Sequence, residues 1–310
     1  MGVRDVILVV QKSDHSLGYY DFETGEELAR IPVDPFPHEF ALSADRRTAY
    51  LASFGVALAE DPGPGGNTVS IVDIPDRKRI GTVHCGEYRR PHDVALDGEG
   101  TLYALSEATG YLLIVRDPAS GEFDHAIPTR GAGSHMVSVR RDGSVAFCSN
   151  MESGTVSALF PGEPDRPAVV LPVGKHPEGS AFDAEERRLY VMNRESAEIS
   201  VLDVARLVVV GTIKTPPGPV RVCRDGDRLL VALYHGCGLL IVDLQDPVRQ
   251  HVVALPAKAI SVGYHAPSRT ALLSCHDQRV YLVDTGTGKV MRSIAARSDP
   301  DPAAVVQWEF

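Results

Sequence analysis

Three histidines and a glutamate recur at one place in a repeated pattern. The segments read Pro37-His38-Glu39-Phe40-Ala41-Leu42, Pro91-His92-Asp93-Val94-Ala95-Leu96, Ser134-His135-Met136-Val137-Ser138-Val139 and Pro177-Glu178-Gly179-Ser180-Ala181-Phe182. Imidazole and carboxylate groups are the common protein ligands of divalent transition metals, at about 2.0–2.2 Å from the ion. A set of three neutral imidazoles and one carboxylate suits Fe, Mn, Ni, Zn or Cu, with nothing in the chain to choose among them. His38, His92, His135 and Glu178 are therefore the expected metal ligands. The same four groups would also serve, without metal, as a pocket that binds substrate or moves protons. The plainest alternative is a polar lining with no role.

What brings four such residues together is the repeat itself. The unit is about forty residues long and holds four β segments, as in Glu178–Asp183, Arg188–Asn193, Glu198–Asp203 and Val208–Lys214. The third segment often ends in an apolar-Asp pair, such as Val72-Asp73, Leu202-Asp203, Val242-Asp243 and Val283-Asp284. A turn containing glycine follows several of these, for example Thr24-Gly25 and Thr287-Gly288. Six units are complete. The seventh is split: residues 5–33 supply three of its strands and Ala303–Phe310 the remaining one. A split unit is how a ring of blades closes, the last strand pairing with the first ones to leave no open edge. The expected fold is all-β, a single seven-bladed β-propeller spanning residues 1–310. A pair of β-sandwiches would leave the split unexplained.

In a propeller the first strand of each blade lines the central channel. The repeated His/Glu position begins that strand, so all four side chains should converge at one mouth from consecutive blades. The other three blades offer Pro219, Ala259 and Ala303 or Pro302 at the expected equivalent position, none of them a ligand. That leaves one side open, as a catalytic metal requires.

The unit Leu189-Tyr190-Val191-Met192-Asn193, Ala197–Asp203 and Val209-Val210-Gly211-Thr212-Ile213 resembles the YVTN-type propeller repeat, with Leu102-Tyr103-Ala104-Leu105-Ser106 a looser copy. The resemblance covers essentially the whole chain. It implies the propeller fold and leaves function open, because such propellers include surface proteins, lactonase-like proteins and streptogramin-lyase-like enzymes. The last use a divalent cation in elimination. Carotenoid-oxygenase-type propellers, which hold iron with four histidines, are similar only by analogy.

Further histidines surround the expected mouth. His176 precedes Glu178 by two residues and is an alternative fourth ligand or an acid/base. His235 and His276, like His15, fall in loops on the same face and are further acid–base candidates. Arg89, Arg90 and Arg130 lie just before the His/Glu strands and point to an anionic small-molecule substrate. The insertion Phe54–Asn67 is a candidate lid.

Composition narrows the classes. Among 310 residues the net charge is −10, with no Lys/Arg-rich run, which argues against nucleic acid. No apolar stretch is long enough to span a membrane. The N-terminal sequence shows no leader pattern, and the five cysteines lack metal or disulfide spacing, so a cytoplasmic protein with reduced thiols is expected. The leading expectation is a metal-dependent lyase, isomerase or lactone hydrolase acting on a small metabolite. The alternatives are a metal-free histidine acid/base enzyme and a non-catalytic propeller that binds a ligand or protein partner.

Overall fold

The computed structural model describes residues 3–309. Twenty-eight strands form seven four-stranded antiparallel sheets, arranged as the blades of a propeller. The six complete blades run β4(Pro37–Leu42) to β7(Lys78–His84), β8(Pro91–Leu96) to β11(His125–Pro128), β12(Ser134–Val139) to β15(Val169–Pro172), β16(Pro177–Phe182) to β19(Val208–Lys214), β20(Pro219–Asp225) to β23(Gln250–Ala254) and β24(Ala259–His265) to β27(Lys289–Ala295). Among the described residues the one helical element is a short 3₁₀ turn at Pro118–Ser120. Among the described residues no helix is long and apolar enough to cross a membrane.

Local chemistry explains the repeat. The second and third strands of each blade are buried on both faces, so they read as continuous apolar runs; Leu229–Leu233 is fully buried. The recurrent aspartate at the end of the third strand shapes the following turn. Asp21 accepts the backbone N–H groups of Glu23 and Thr24 at 3.0 and 2.8 Å, and Asp284 accepts those of Gly286 and Thr287 at 2.8 and 2.7 Å. The glycine that follows takes a left-handed conformation, φ 78° at Gly25 and 69° at Gly288, which side chains with a Cβ disfavour.

The apolar core lies between blades. Ile7 and Val9 of one blade pack on Leu272, Val280 and Leu282 of its neighbour. Blades are therefore held mainly by side-chain burial rather than by a shared ladder of hydrogen bonds.

Closure occurs in the blade whose two outer strands are β2(Ser16–Asp21) and β3(Glu27–Pro32). In it β28(Pro300–Glu309) pairs antiparallel with β1(Val3–Gln11), matching Val306 with Val6 and Ala304 with Leu8. The strand begins three residues earlier than the sequence suggested, at Pro300, and Phe310 lies outside the described residues. Val305, Val306 and Trp308 are buried in the seam.

Seam packing should carry a measurable share of stability. Trp308→Ala removes a large buried side chain and is expected to cost about 3–5 kcal/mol in chemical denaturation, as large-to-small core changes do. A loss below about 1 kcal/mol would show that the closing strand is not holding the ring.

Candidate functional site

The site is built by a bulge repeated in every blade. At the start of each inner strand the pairing slips by one residue: Pro37 pairs with Ser53, but Phe40 with Leu51. The same slip follows Pro91, Ser134, Pro177, Pro219, Ala259 and Pro300. A bulge suspends the usual alternation of side chains and re-aims them. Consecutive residues can then be buried at the axis, as Pro37, His38 and Glu39 all are.

This register places seven residues at the same level around the axis: His38, His92, His135, Glu178, Val220, Ile260 and Asp301. The expectation of Pro219, Ala259 and Ala303 or Pro302 for the last three blades is off by one or two positions. The bulge residue Pro219 aligns with Pro177, so Val220, and not Pro219, faces the channel beside Glu178. The closing blade thus contributes an ionisable residue, Asp301, that the sequence reading did not place.

A second ring sits above the first. In each blade the residue after the second strand donates its backbone N–H to the carbonyl just before the inner strand. Glu107 bonds Arg90 at 3.0 Å, Arg194 bonds His176 at 3.0 Å, Tyr234 bonds Gly218 at 2.7 Å and His276 bonds Lys258 at 3.1 Å; Lys12, Phe54 and Met151 do the same. One backbone bond therefore fixes a second set of side chains over the first. Together the two rings, Phe54 excepted, line a cavity of about 750 Å³.

Charge in this cavity is arranged as a chain. The Arg221 guanidinium, one residue beyond the ring position, is buried across the axis. It donates Nε–H to Glu39 at 2.8 Å and Nη1–H to Glu178 at 2.5 Å. Arg194 donates to the other Glu178 oxygen at 2.7 Å and to His176 Nε2 at 2.6 Å. His135 then bridges two carboxylates, with Nδ1 2.7 Å from Glu107 and Nε2 3.4 Å from Glu178.

The proton affinities follow. Burial disfavours a charged His135, but the hydrogen bonds to Glu107 and Glu178 outweigh it and push the imidazole up to about 9. Burial raises Glu178, yet His135, Arg221 and Arg194 together hold it well below the usual carboxylate range. Burial and adjacent positive charge keep His38 and His92 well below the ordinary imidazole range, so both are neutral. Burial, with the Glu39 charge, pushes Asp93 up to about 7, against its two backbone N–H donors from Val94 and Val137.

The structure brings His38, His92, His135 and Glu178 together. The His38 and His92 rings are 4.6 Å apart, and His92 and His135 are 3.8 Å apart. Phe54 packs on His38 at 4.7 Å. The four do not, however, present ligand atoms to one point. Both Glu178 oxygens are occupied by guanidinium groups, and the ligand atoms that lie within 4.8 Å of one another belong to His92, Glu107 and His135. His92 Nδ1 and His38 Nε2 are buried without a hydrogen-bond partner.

His176 and His276 line the cavity; burial holds both below the ordinary value, helped by Arg194 for the first and Lys258 for the second. His235 does not line it. Its side chain is 43% exposed and lies 3.6 Å from the exposed Glu195. Of the three arginines, Arg90 alone lines the cavity, and its guanidinium is engaged with loop carbonyls. Arg130 is exposed, and neither it nor Arg89 reaches the cavity wall.

Glu107, Arg194, Arg221, Lys12 and Asp301 were not identified from sequence. A signal existed for the second ring: aligning the repeats on the residue after the second strand gives Glu107, Met151, Arg194, Tyr234 and His276 in five consecutive blades. Arg221 stands out only as a charge at the place that Glu39 and Asp93 occupy in other repeats.

No family model and no curated protein matches the chain. Solved structures do. The periplasmic gluconolactonase PpgL of Pseudomonas aeruginosa superposes with a TM-score of 0.79 over 98% of this chain and 99% of its own, at 16% identity. A Bacteroides uniformis protein assigned by inference as a 6-phosphogluconolactonase gives a TM-score of 0.75 over 98% and 100%, at 15% identity. Dihydro-heme d1 dehydrogenase NirN gives 0.62 over 96% of this chain and 74% of its own, at 17% identity. The chain is similar to lactonase-like propellers in fold.

Proposed function

We propose that the cavity is the active site of a metal-dependent hydrolase of small cyclic esters, with a divalent transition metal held by His92, Glu107 and His135. The observation that carries this reading is the convergence of those three ligand groups within 4.8 Å, on the wall of an open cavity, with His92 Nδ1 buried and unpartnered. Two imidazoles and a carboxylate with free positions form a recurrent donor set for such metals. The metal would polarise the ester carbonyl as a Lewis acid.

The surrounding residues fit that assignment. Glu178 would accept the Nε2–H of His135 and so turn Nδ1 toward the ion, as carboxylates behind metal-bound histidines do. Arg221 and Arg194 hold Glu178 in place. His38, kept neutral by burial, and His176 and His276 at the rim are the groups available to move protons. Lactone opening is favoured over elimination or isomerisation by the fold-level likeness to gluconolactonases.

Metal binding must displace the His135 proton. With a pKa of about 9 this costs roughly 3 kcal/mol at pH 7. Structural zinc sites in peptides supply about 10–16 kcal/mol, so the competition is winnable. A second reading is favoured by the same two contacts: His135, donating to both carboxylates, is the acid of a metal-free site.

Elemental analysis after loading with Zn or Mn separates the two readings. His92→Ala and Glu107→Ala should lose the metal and the hydrolysis of δ-lactones. Glu178→Gln should keep the metal with about 10–100-fold weaker affinity, since it stands behind a ligand. His38→Ala should keep it. Lactone hydrolysis by protein free of metal would sink the metal centre and leave the acid–base reading.

The pH dependence has a defined sign. The His135 proton competes with the ion below its pKa, so metal affinity should rise about tenfold per pH unit between pH 6 and about 9 and then level off. A calorimetric titration series that is flat from pH 6 to 9 would exclude His135 as a ligand.

A further inference from the structure

The second-to-third-strand connection is four residues in several blades, as in Glu107–Gly110, but runs from Phe54 to Asn67 in the blade that carries His38. Its base is pinched shut. Gly66 N–H bonds the Phe54 carbonyl at 2.7 Å, and Gly55 N–H bonds Pro35 at 3.1 Å. The neck leaves no room for side chains: a Cβ on Gly55 would lie 1.9 Å from Gly66 N, and one on Gly66 2.0 Å from the Ser53 carbonyl. The segment is thus a compact loop with its ends together and its body projecting. That body overhangs the site, since Ala57, Leu58, Ala59 and Glu60 line the cavity.

One side chain from the next blade fills the loop. The Arg90 guanidinium donates to the carbonyls of Ala59, Asp61 and Gly63, the last two at 2.7 and 2.8 Å. Its backbone N–H bonds Gly66 at 2.8 Å. Gly65 lies so close that a Cβ there would come within 2.5 Å of Arg90 Cγ. Arg90 itself holds a left-handed backbone, φ 55°, two residues before His92. A charged side chain spent on three loop carbonyls is not available to a substrate. It instead couples the position of the loop to the strand that carries His92.

We propose that Gly55–Gly66 is a lid latched by Arg90, and that its Ala57–Glu60 stretch is the wall that sets which substrates enter. This rests on the cavity being the active site. Opening requires the guanidinium to release its three carbonyls. Closing presents three apolar residues, among them the exposed Leu58, to whatever occupies the cavity. Excluding bulk water from a reacting ester, while the one water that opens the ring is retained, is what such elements do.

Hydrogen exchange on the full-length protein tests the latch without requiring activity. In Arg90→Ala, amides of residues 57–64 should exchange at least about tenfold faster than in the wild type, with exchange in the blades unchanged. Arg90→Lys, which keeps the charge and the stem but cannot reach three carbonyls with a planar fork, should do the same and guards against a folding defect in the first variant. Rates within twofold of wild type in both variants would overturn the latch. A variant with the insertion cut to four residues then tests selectivity. The rate for γ-butyrolactone relative to the bulkier dihydrocoumarin should fall at least about tenfold; an unchanged ratio would overturn the role in selection. If the wild type opens neither lactone, the hydrolase reading fails, and the exchange rates alone decide whether the lid stands.

Discussion

A guanidinium buried at the axis of a seven-bladed ring dictates the arrangement around it. Removing a charge from water costs several kcal/mol unless partners replace the hydration. Arg221 meets that demand with Glu39, from a blade on the far side of the channel, and Glu178, from the adjacent blade. Satisfying Arg221 leaves Glu178 clamped with a permanent negative charge, which in turn holds a proton on His135, which reaches Glu107. The order of residues around the mouth is therefore a sequence of compensations, each set by the one before it. The neutral pair His38 and His92 lies at the edge of this chain, with His38 Nδ1 4.0 Å from the Asp301 carboxylate.

Much of the fold was legible because blades repeat. A buried strand needs a continuous apolar run, and a turn after Asp needs glycine, so each unit announces itself and the count of seven follows. The four-residue set His38, His92, His135 and Glu178 was legible for the same reason, being one slot sampled four times. What sequence did not reveal were the features that break periodicity. The bulge after Pro37 and its six counterparts lets two successive residues face the axis, so Glu39 and Arg221 escape a reading that assumes alternation. In the closing blade a proline on each side of Asp301 obscures the register, and the aspartate was passed over by one or two positions.

Partner choice was less legible than position. Nothing in a single chain tells that Glu178 is claimed by Arg194 of its own repeat and Arg221 of the next, or that Glu107, in a different strand connection, replaces it beside His92 and His135. Likewise Arg90 was read as a substrate contact from its charge and place, whereas three loop carbonyls absorb its donors. Identity of a residue follows from the repeat; what it touches depends on the neighbouring blades, and these diverge.

The closing blade carries a temporal consequence. Lys12 follows the first strand of the chain and Asp301 lies in the last, yet they pair at 3.4 Å in the same cavity. During synthesis the six inner blades can form while this corner of the pocket is still missing. The entropy lost in ordering the two end strands is recovered only when the seam packs. The pocket is therefore completed only when β28 pairs with β1, and a chain still lacking that strand presents an unfinished cavity.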